Sequence, residues 1–519
     1  MKYKQLAVLA IALASVFTSC DKNFEDINID PTKLTPDNMN YNYLFTSAEL
    51  ITAGNSDGNA YEDWRNNLIY ASCMIQHLAS ATGYWAGDKY TYNSGYNSAY
   101  WDANYNNSIR NIVDVIENIK DKPEYTNFYN IARIFKVFQF QRMTDMFGDV
   151  PYSQAGLGYT QSITAPVYDK QEAIYDDMLN ELQTAATALD ASATNTVSDA
   201  DQVYHGDVDK WKKFAYSEMV RVAMRLSKVN PTKAEQWVKI AYAGGVFTSN
   251  DDNALLQHED MPWNPLTNGN AWVLDGVDPA AAKISESFMN ILKSTSDPRL
   301  KYIATVATDP SNTDDKGDND PAIQIGMPNG YDRGGAATDI SNAPNFPGDV
   351  NKYSIVNRNT FAKPTAPTFF LTYAETKLLL AEAAQRGWIS ADAATLYNEG
   401  TAAAIMQLNE TGASLTEGDV NTYLTANPFN AAKALEQINT QYYIVTFMDE
   451  YEAWANWRRS GYPVLKPVNY FGNVTNGTIP RRFTYPTSEP AVNGENYGSA
   501  VSGLKDGDKM TSRVWWDTE

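Results

Sequence analysis

The strongest constraint in this chain is a set of long side-chain stripes at helical spacing. From about Glu124 to Phe147, the residues Phe128, Ala132, Phe135, Phe138 and Arg142 recur three and four positions apart. That spacing puts them on one face of a helix. Gly148 and Pro151 then stop it. The same period runs through about Lys170–Leu189 and about Asp209–Val229, which breaks at Asn230-Pro231, and a short helix covers 232–243. Earlier helical stretches are about Leu44–Ala81, interrupted at 54–58, and about Ser108–Lys120. Later, Thr372 to Arg386 is Ala-rich and ends at Gly387, and Ser390 can cap a helix over about Ala391–Leu408. Asn430 to Ser460 reads as one helix with a full stop signal: Arg458-Arg459 in its last turn, then Gly461 and Pro463.

These elements predict a mostly α fold. Two helices joined by a tight turn at Gly387 form an antiparallel hairpin. Such pairs are similar to tetratricopeptide units, but there is no clean repeat of about 34 residues, so the units would be degenerate. Residues 246–368 differ in character, with eleven prolines among many Gly, Asn and Asp, and only about Ala280–Lys293 reads as helix. A long irregular segment in a compact domain is usually functional or disordered. The expected organisation is a tether over 20–42, then one helical domain over 43–519 that carries this loop-rich insertion. The tail from 464 is expected to pack back as loops and short strands.

The first twenty residues set the compartment. Lys2 and Lys4 precede an apolar run from Leu6 to Phe17, and Thr18-Ser19 follow. A charged start, an apolar run and a small-residue exit form a secretory signal. The run is shorter than the roughly 20 apolar residues of a membrane span. Phe17-Thr18-Ser19-Cys20 resembles a bacterial lipobox. On that reading residues 1–19 are removed and Cys20 is acylated, by palmitate among other chains. The alternative is an ordinary signal peptide with a chance Cys. No later stretch is an apolar 18-mer, so membrane contact would be through lipid alone. The net charge of −21 disfavours nucleic acid and anionic membrane surfaces. Cys73 is the only other Cys, and it sits in the apolar run Leu68–Ile75, where it reads as a buried small hydrophobe.

Aromatic residues are abundant, with 33 Tyr and 12 Trp. Tyr and Trp pair an apolar face with a polar edge, which suits sugar rings. Most such residues belong to a core, and Trp101, Trp211, Trp454 and Trp457 are read that way. The stretch from Thr82 to Asn107 is different, because it sets Tyr and Trp among Gly, Asn and Ser with no apolar period up to about Ser98. The expected ligand-binding residues are Tyr84, Trp85, Tyr90 and Tyr96, helped by Trp263 and Trp272 from the irregular region. Asp88, Asn93 and Asn97 would bond sugar hydroxyls around them. The competing reading is that these residues fasten the loops to the body.

The remaining polar motifs are structural. Arg458 and Arg459 satisfy a helix end and pair with Glu450 or Glu452, and Arg481-Arg482 pair likewise. The acid-dense run from Asp314 to Asp320 lacks the EF-hand pattern and reads as a solvated turn. His77, His205 and His258 show no metal spacing. There is no Gly-x-Ser-x-Gly, phosphate loop or HExxH motif. No metal, no cofactor and no catalysis are expected.

Several segments together resemble the SusD/RagB family of outer-membrane lipoproteins from Bacteroidota. They are the lipobox at Cys20, Asn28–Thr32, Thr144–Tyr152, Tyr373–Glu375 with Ala381–Ala383, Glu452–Pro463 and Pro480–Pro486. The resemblance implies a helical body that sits over a SusC-like TonB-dependent transporter, binds an oligosaccharide or polysaccharide at the cell surface, and acts as a hinged lid for uptake. A peptide ligand, as for RagB-like members, is the alternative within the family. A surface glycoside hydrolase is the alternative outside it, and would need two carboxylates about 5–9 Å apart across a cleft. Asp21, Glu25 and Asp26 loosely fit an acidic surface-export signal, interrupted by Lys22, Asn23 and Phe24.

Overall fold

The computed structural model describes residues 39–54, 62–194, 197–260 and 266–518. The signal segment, Cys20 and the tether up to residue 38 lie outside them. Residues 42–519 form one unit. Counting described helices of nine or more residues, these are α1 (Tyr41–Ala53), α2 (Arg110–Ile119), α3 (Thr126–Phe147), α4 (Gln171–Ala188), α5 (Val208–Arg225), α6 (Pro231–Gly244) and α7 (Glu286–Ser294). Then follow α8 (Tyr373–Gln385), α9 (Ala393–Met406), α10 (Glu417–Ala426), α11 (Ala434–Val445), α12 (Glu450–Ser460) and α13 (Gly494–Ser502). A π-helical stretch, Asp63–Ser72, stands where the second half of the first predicted helix was expected.

The fold is predominantly helical with packed pairs, α3 on α4, α5 on α6 and α8 on α9. Helix starts follow local chemistry. Thr372 and Glu375 close a reciprocal capping box at α8. Asn230 caps α6 ahead of Pro231. α9 is capped by Asp392, whose Oδ1 accepts from Thr395 N at 2.7 Å, rather than by Ser390. In the α8–α9 pair the backbones approach closely, since a Cβ at Gly400 would lie 3.0 Å from Leu378 Cγ.

α3 is the centre of the body. It packs against α2, α4, α5 and α12, so nearly every side chain on it is buried rather than one stripe. Phe135 and Phe138 stack at 6.1 Å, and Phe370 closes on Phe138 at 5.2 Å. Each such ring contributes roughly 1.5–3 kcal/mol by leaving water.

A buried ionic network pins α3, α5, α8, α11 and α12 together. Arg225 bonds Glu452 and, at 3.2 Å, Asp145. Arg221 bonds Glu375 at 2.7 Å. The Tyr442 hydroxyl donates to Glu452 at 2.7 Å. Burial alone would push the Glu452 carboxyl up, but Arg225 and Arg221 pull it down to about 2.

The stretch expected as one helix over Asn430–Ser460 is two. The chain turns at Met448, with φ of 79°. Tertiary bonds replace the helical ones there. Asn67 donates to Met448 O at 3.0 Å and accepts from Glu450 N at 3.0 Å, while the Glu450 carboxylate takes His77 at 2.6 Å. Arg459 pairs with Glu382 on α8 rather than with Glu450 or Glu452. Arg458 lies over Trp454 and Trp516 at 4.1 and 4.9 Å and donates to Asp145 O.

Short antiparallel strands fasten the irregular region. Leu78–Ala79 (β1) pairs with Lys283–Ile284 (β5), and Ala254–Leu256 (β4) with Thr368–Leu371 (β8). Val150–Pro151 (β2) pairs with Tyr168–Asp169 (β3), and Ala304–Thr305 (β6) with Ile355–Val356 (β7). The β4–β8 ladder joins the two ends of the 246–368 stretch, and a small core of Met327, Ile340, Val350 and Tyr353 sits within it. The tail carries helices and loops, with no strand among its described residues. No described helix is long and apolar enough to cross a membrane.

Candidate ligand-binding face

The aromatic loop does not hang free. A Cβ at Gly87 would collide with the carbonyl oxygens of Ile69 and Tyr70, so the loop backbone lies directly on the π-helical stretch. Asp88 is buried and accepts from Ser80 N and Gly330 N, both at 2.9 Å. Lys89, also buried, donates to Ser80 O at 2.7 Å. Gly87 permits close packing rather than display.

That contact carries Trp85 inward. It is 0% exposed, and its indole N–H donates to Asp278 Oδ2 at 2.8 Å. The expected role of Trp85 as a displayed platform is therefore corrected: a satisfied N–H lets the whole ring be buried. Tyr84, beside it, remains 43% exposed. Its hydroxyl donates to the same Asp278 oxygen, and its ring stands edge-to-face on Trp64 at 6.4 Å. Partial burial, then the bond to Asp278, push the Tyr84 hydroxyl well above its usual range.

Tyr90 is also corrected to a buried position. It adopts φ of 53° and is 0% exposed. Its carbonyl accepts from Val474 N at 2.9 Å and its hydroxyl from Val468 N at 3.3 Å, so it anchors the 464–477 segment. Burial pushes that hydroxyl up to about 12. Tyr96 is half-buried, edge-on to Tyr70 at 6.3 Å. Trp272 is half-buried at the end of the short helix Gly269–Trp272, six residues before Asp278. Trp263 lies outside the described residues. Of the expected polar ring, Asn93 remains exposed. Asp88 is spent on backbone amides, and Asn97 exchanges bonds with Thr484, at 2.5 and 3.0 Å.

The structure thus brings Tyr84 and Trp85 together on Asp278, a residue that sequence reasoning missed. A lone Asp after an apolar turn carries no signal in sequence. Trp64 and Tyr92 were missed too, though Tyr92 lies in the stretch already noted for its aromatics. The 464–477 segment helps to line two clefts. One, of about 390 Å³, is lined by Tyr92, Tyr485 and Tyr497. The other, of about 290 Å³, is polar, with Gln76, Asn329, Tyr331 and Lys466. Rings with polar edges beside carboxylates and amides can stack on a sugar and bond its hydroxyls.

Among the described residues the acid–base groups of His77, Glu450 and a small polar cavity are enclosed. His77 and Glu450 are both 0% exposed, and the imidazole packs on Tyr443 at 3.9 Å and Phe288 at 4.6 Å. A polar cavity lined by Asp63, Arg142, Glu375 and Asp449 holds about 50 Å³, room for water but not for a pyranose. Burial pushes the Asp63 carboxyl up to about 7 there. Among the described residues no cluster of His, Cys, Asp and Glu could hold a metal ion.

The site thus combines a helical scaffold with the exposed rings of Tyr84 and Tyr92, the latter lining a cleft. Residues 38–486 match the family model SusD-like_2, described as "Starch-binding associating with outer membrane", and the chain belongs to this family. Among solved structures it is similar to a chitin-binding protein, with 34% identity, a TM-score of 0.80, and 92% of this chain and 100% of that one covered. It is also similar to a SusD-like protein of Bacteroidetes AC2a, with 27% identity, a TM-score of 0.82 and coverage of 93% and 100%. A chitin-binding SusD homolog from Flavobacterium johnsoniae matches with 25% identity, a TM-score of 0.76 and coverage of 92% and 99%. No curated protein matches the chain. Members of the family are non-catalytic, carbohydrate-binding outer-membrane lipoproteins that partner SusC-type transporters.

Proposed function

We propose that this protein is a surface lipoprotein, acylated at Cys20, that binds oligosaccharides of β-linked N-acetylglucosamine and passes them to a SusC-like TonB-dependent transporter. The observation that carries the reading is the Tyr84 ring, exposed yet held from behind by Trp64 and Asp278. A fixed ring loses little freedom when a sugar stacks on it. The Asp278 carboxylate beside it can accept from a hydroxyl or from an acetamido N–H. Two of the similar structures bear the name chitin-binding, which favours acetamido sugars over other glycans. Tyr96 and Trp272, both half-exposed, extend the aromatic face in this reading.

Titration calorimetry with chitohexaose, maltohexaose and an unrelated peptide tests the ligand. Binding of chitohexaose at least about tenfold tighter than the others is expected, a difference of roughly 1.4 kcal/mol. Preference for the peptide would replace the glycan reading with a peptide-import one. Cys20→Ala should abolish labelling by palmitate and release the protein from the membrane fraction, and unchanged labelling would remove the anchor from this account.

A further inference from the structure

We infer that the cleft between the aromatic loop and the C-terminal tail is a second sugar subsite, which grips a distal part of the same glycan. The inference rests on the glycan reading above and adds a place and a consequence to it.

The cleft is a built feature. Its floor is Tyr485, buried and locked by three contacts. The Tyr485 hydroxyl donates to Asp149 O at 2.7 Å, its backbone N–H donates to the Asp508 carboxylate at 3.2 Å, and the Arg482 guanidinium lies 4.5 Å from its ring. Asp508 is itself fixed by Arg482 at 2.5 Å. Tyr497 forms one wall, its ring edge-on to Tyr485 at 5.9 Å and its hydroxyl 3.4 Å from Asp508. Tyr92 forms the opposite side and is 42% exposed, with its hydroxyl 3.5 Å from Thr484 Oγ1. Pro486 and Val474 complete an apolar lining, and Lys509 stands exposed at the rim.

The chemistry favours an uncharged amphipathic ring. The Tyr92 and Tyr497 rings offer stacking surface, while Asp508 and Lys509 offer an acceptor and a donor to hydroxyls. A volume of about 390 Å³ falls within the range of small-molecule sites. A net cation or anion would meet both a carboxylate and an ammonium and gain little from either.

Placement supplies the consequence. Tyr92 is eight residues from Tyr84 on one loop, and the buried Tyr90 between them anchors that loop to the 464–477 segment. One rigid loop therefore presents a ring at each end. A long glycan that reaches both ends gains a second contact at high effective concentration, whereas a short one does not.

The test is a ladder of chito-oligosaccharides, from disaccharide to octasaccharide, titrated into the parent, Tyr84→Ala, Tyr497→Ala and Tyr92→Ala. In the parent, affinity should climb with length. Tyr497→Ala and Tyr92→Ala should each shrink the gain from trisaccharide to octasaccharide about tenfold. Tyr84→Ala should weaken all lengths alike, and Tyr497→Phe, which keeps the ring, should restore the gain. Thermal melts establish that each variant is folded. If Tyr497→Ala fails to fold, Tyr92→Ala at the exposed side carries the test. A parent that binds with no length dependence, or variants with the parental ladder, would overturn the second subsite while leaving the glycan reading intact. A parent that binds no member of the ladder would overturn the glycan reading itself. Variants with the parental ladder that no longer co-purify with the transporter would reassign the cleft to a protein contact.

Discussion

Arg459 on α12 and Glu382 on α8 meet in a two-pronged ion pair, Nη1 to Oε1 at 2.7 Å and Nη2 to Oε2 at 2.8 Å, with each side chain 1% exposed. Asn439, Asn456 and Ser227 add further bonds, and Arg386 also donates to Glu382 Oε1 at 2.8 and 3.0 Å. Two helices some 75 residues apart in sequence are thereby set in register. Removing Glu382 strands the buried Arg459 charge, whereas removing Arg459 leaves Glu382 paired with Arg386 alone. Glu382→Ala should cost about 3–5 kcal/mol in urea unfolding, and Arg459→Ala somewhat less. An apolar pair, Glu382→Leu with Arg459→Met, should lose much less than the sum. Additive losses would show that the pair does not act as a unit.

The same pair sets the acid limb of stability. Burial would raise the Glu382 carboxyl, but Arg459 and Arg386 hold it down at about 2, and Glu452 is held equally low by Arg225 and Arg221. Both lie below the unfolded value of 4.5. Their contribution is therefore fully present above pH 4.5 and lost as pH falls from there toward 2. Melting temperature should drop steeply across that window, and Glu382→Gln should flatten part of the drop.

Lys283 behaves in the opposite sense. It is 1% exposed, and its ammonium has no hydrogen-bond partner among the described residues. Burial, then Arg333 and Arg358, lower its value from 10.5 to about 7. The folded protein thus sheds a proton that the unfolded chain keeps, so this residue destabilises most below pH 7 and the penalty fades as pH rises from 7 to 10.5. Lys283→Met should raise stability by about 1–3 kcal/mol at pH 6, with a smaller gain at pH 9. A gain independent of pH would assign the effect to packing alone.

Trp85 and Tyr84 are adjacent in sequence but opposite in role. Trp85→Ala empties a fully buried site and should cost about 3–5 kcal/mol, read as a large fall in melting temperature. Tyr84→Ala should change stability by less than about 1 kcal/mol while weakening glycan binding about tenfold, as for a stacking residue. Loss of binding with Trp85→Ala at a temperature where the variant is still folded would show that Asp278 needs its second donor to hold Tyr84.

The sequence by itself determined the helical class, most helix positions and the family, because periodicity and stop signals are local and survive without a partner. It also distinguished the structural roles of Trp211, Trp454 and Arg481-Arg482 from ligand capture. Three features lay beyond it. The break at Met448 follows from Asn67 and His77, nearly 400 residues away in the chain, taking over bonds that a continuous helix would have made. The direction of Trp85 was set by close contact of Gly87 with Ile69 and Tyr70 and by Asp278 waiting for the indole N–H. The cleft of Tyr92, Tyr485 and Tyr497 exists only because the tail returns to the aromatic loop. Each depends on long-range partners, and the exposure of an aromatic ring is a property of what packs over it, which no local pattern encodes.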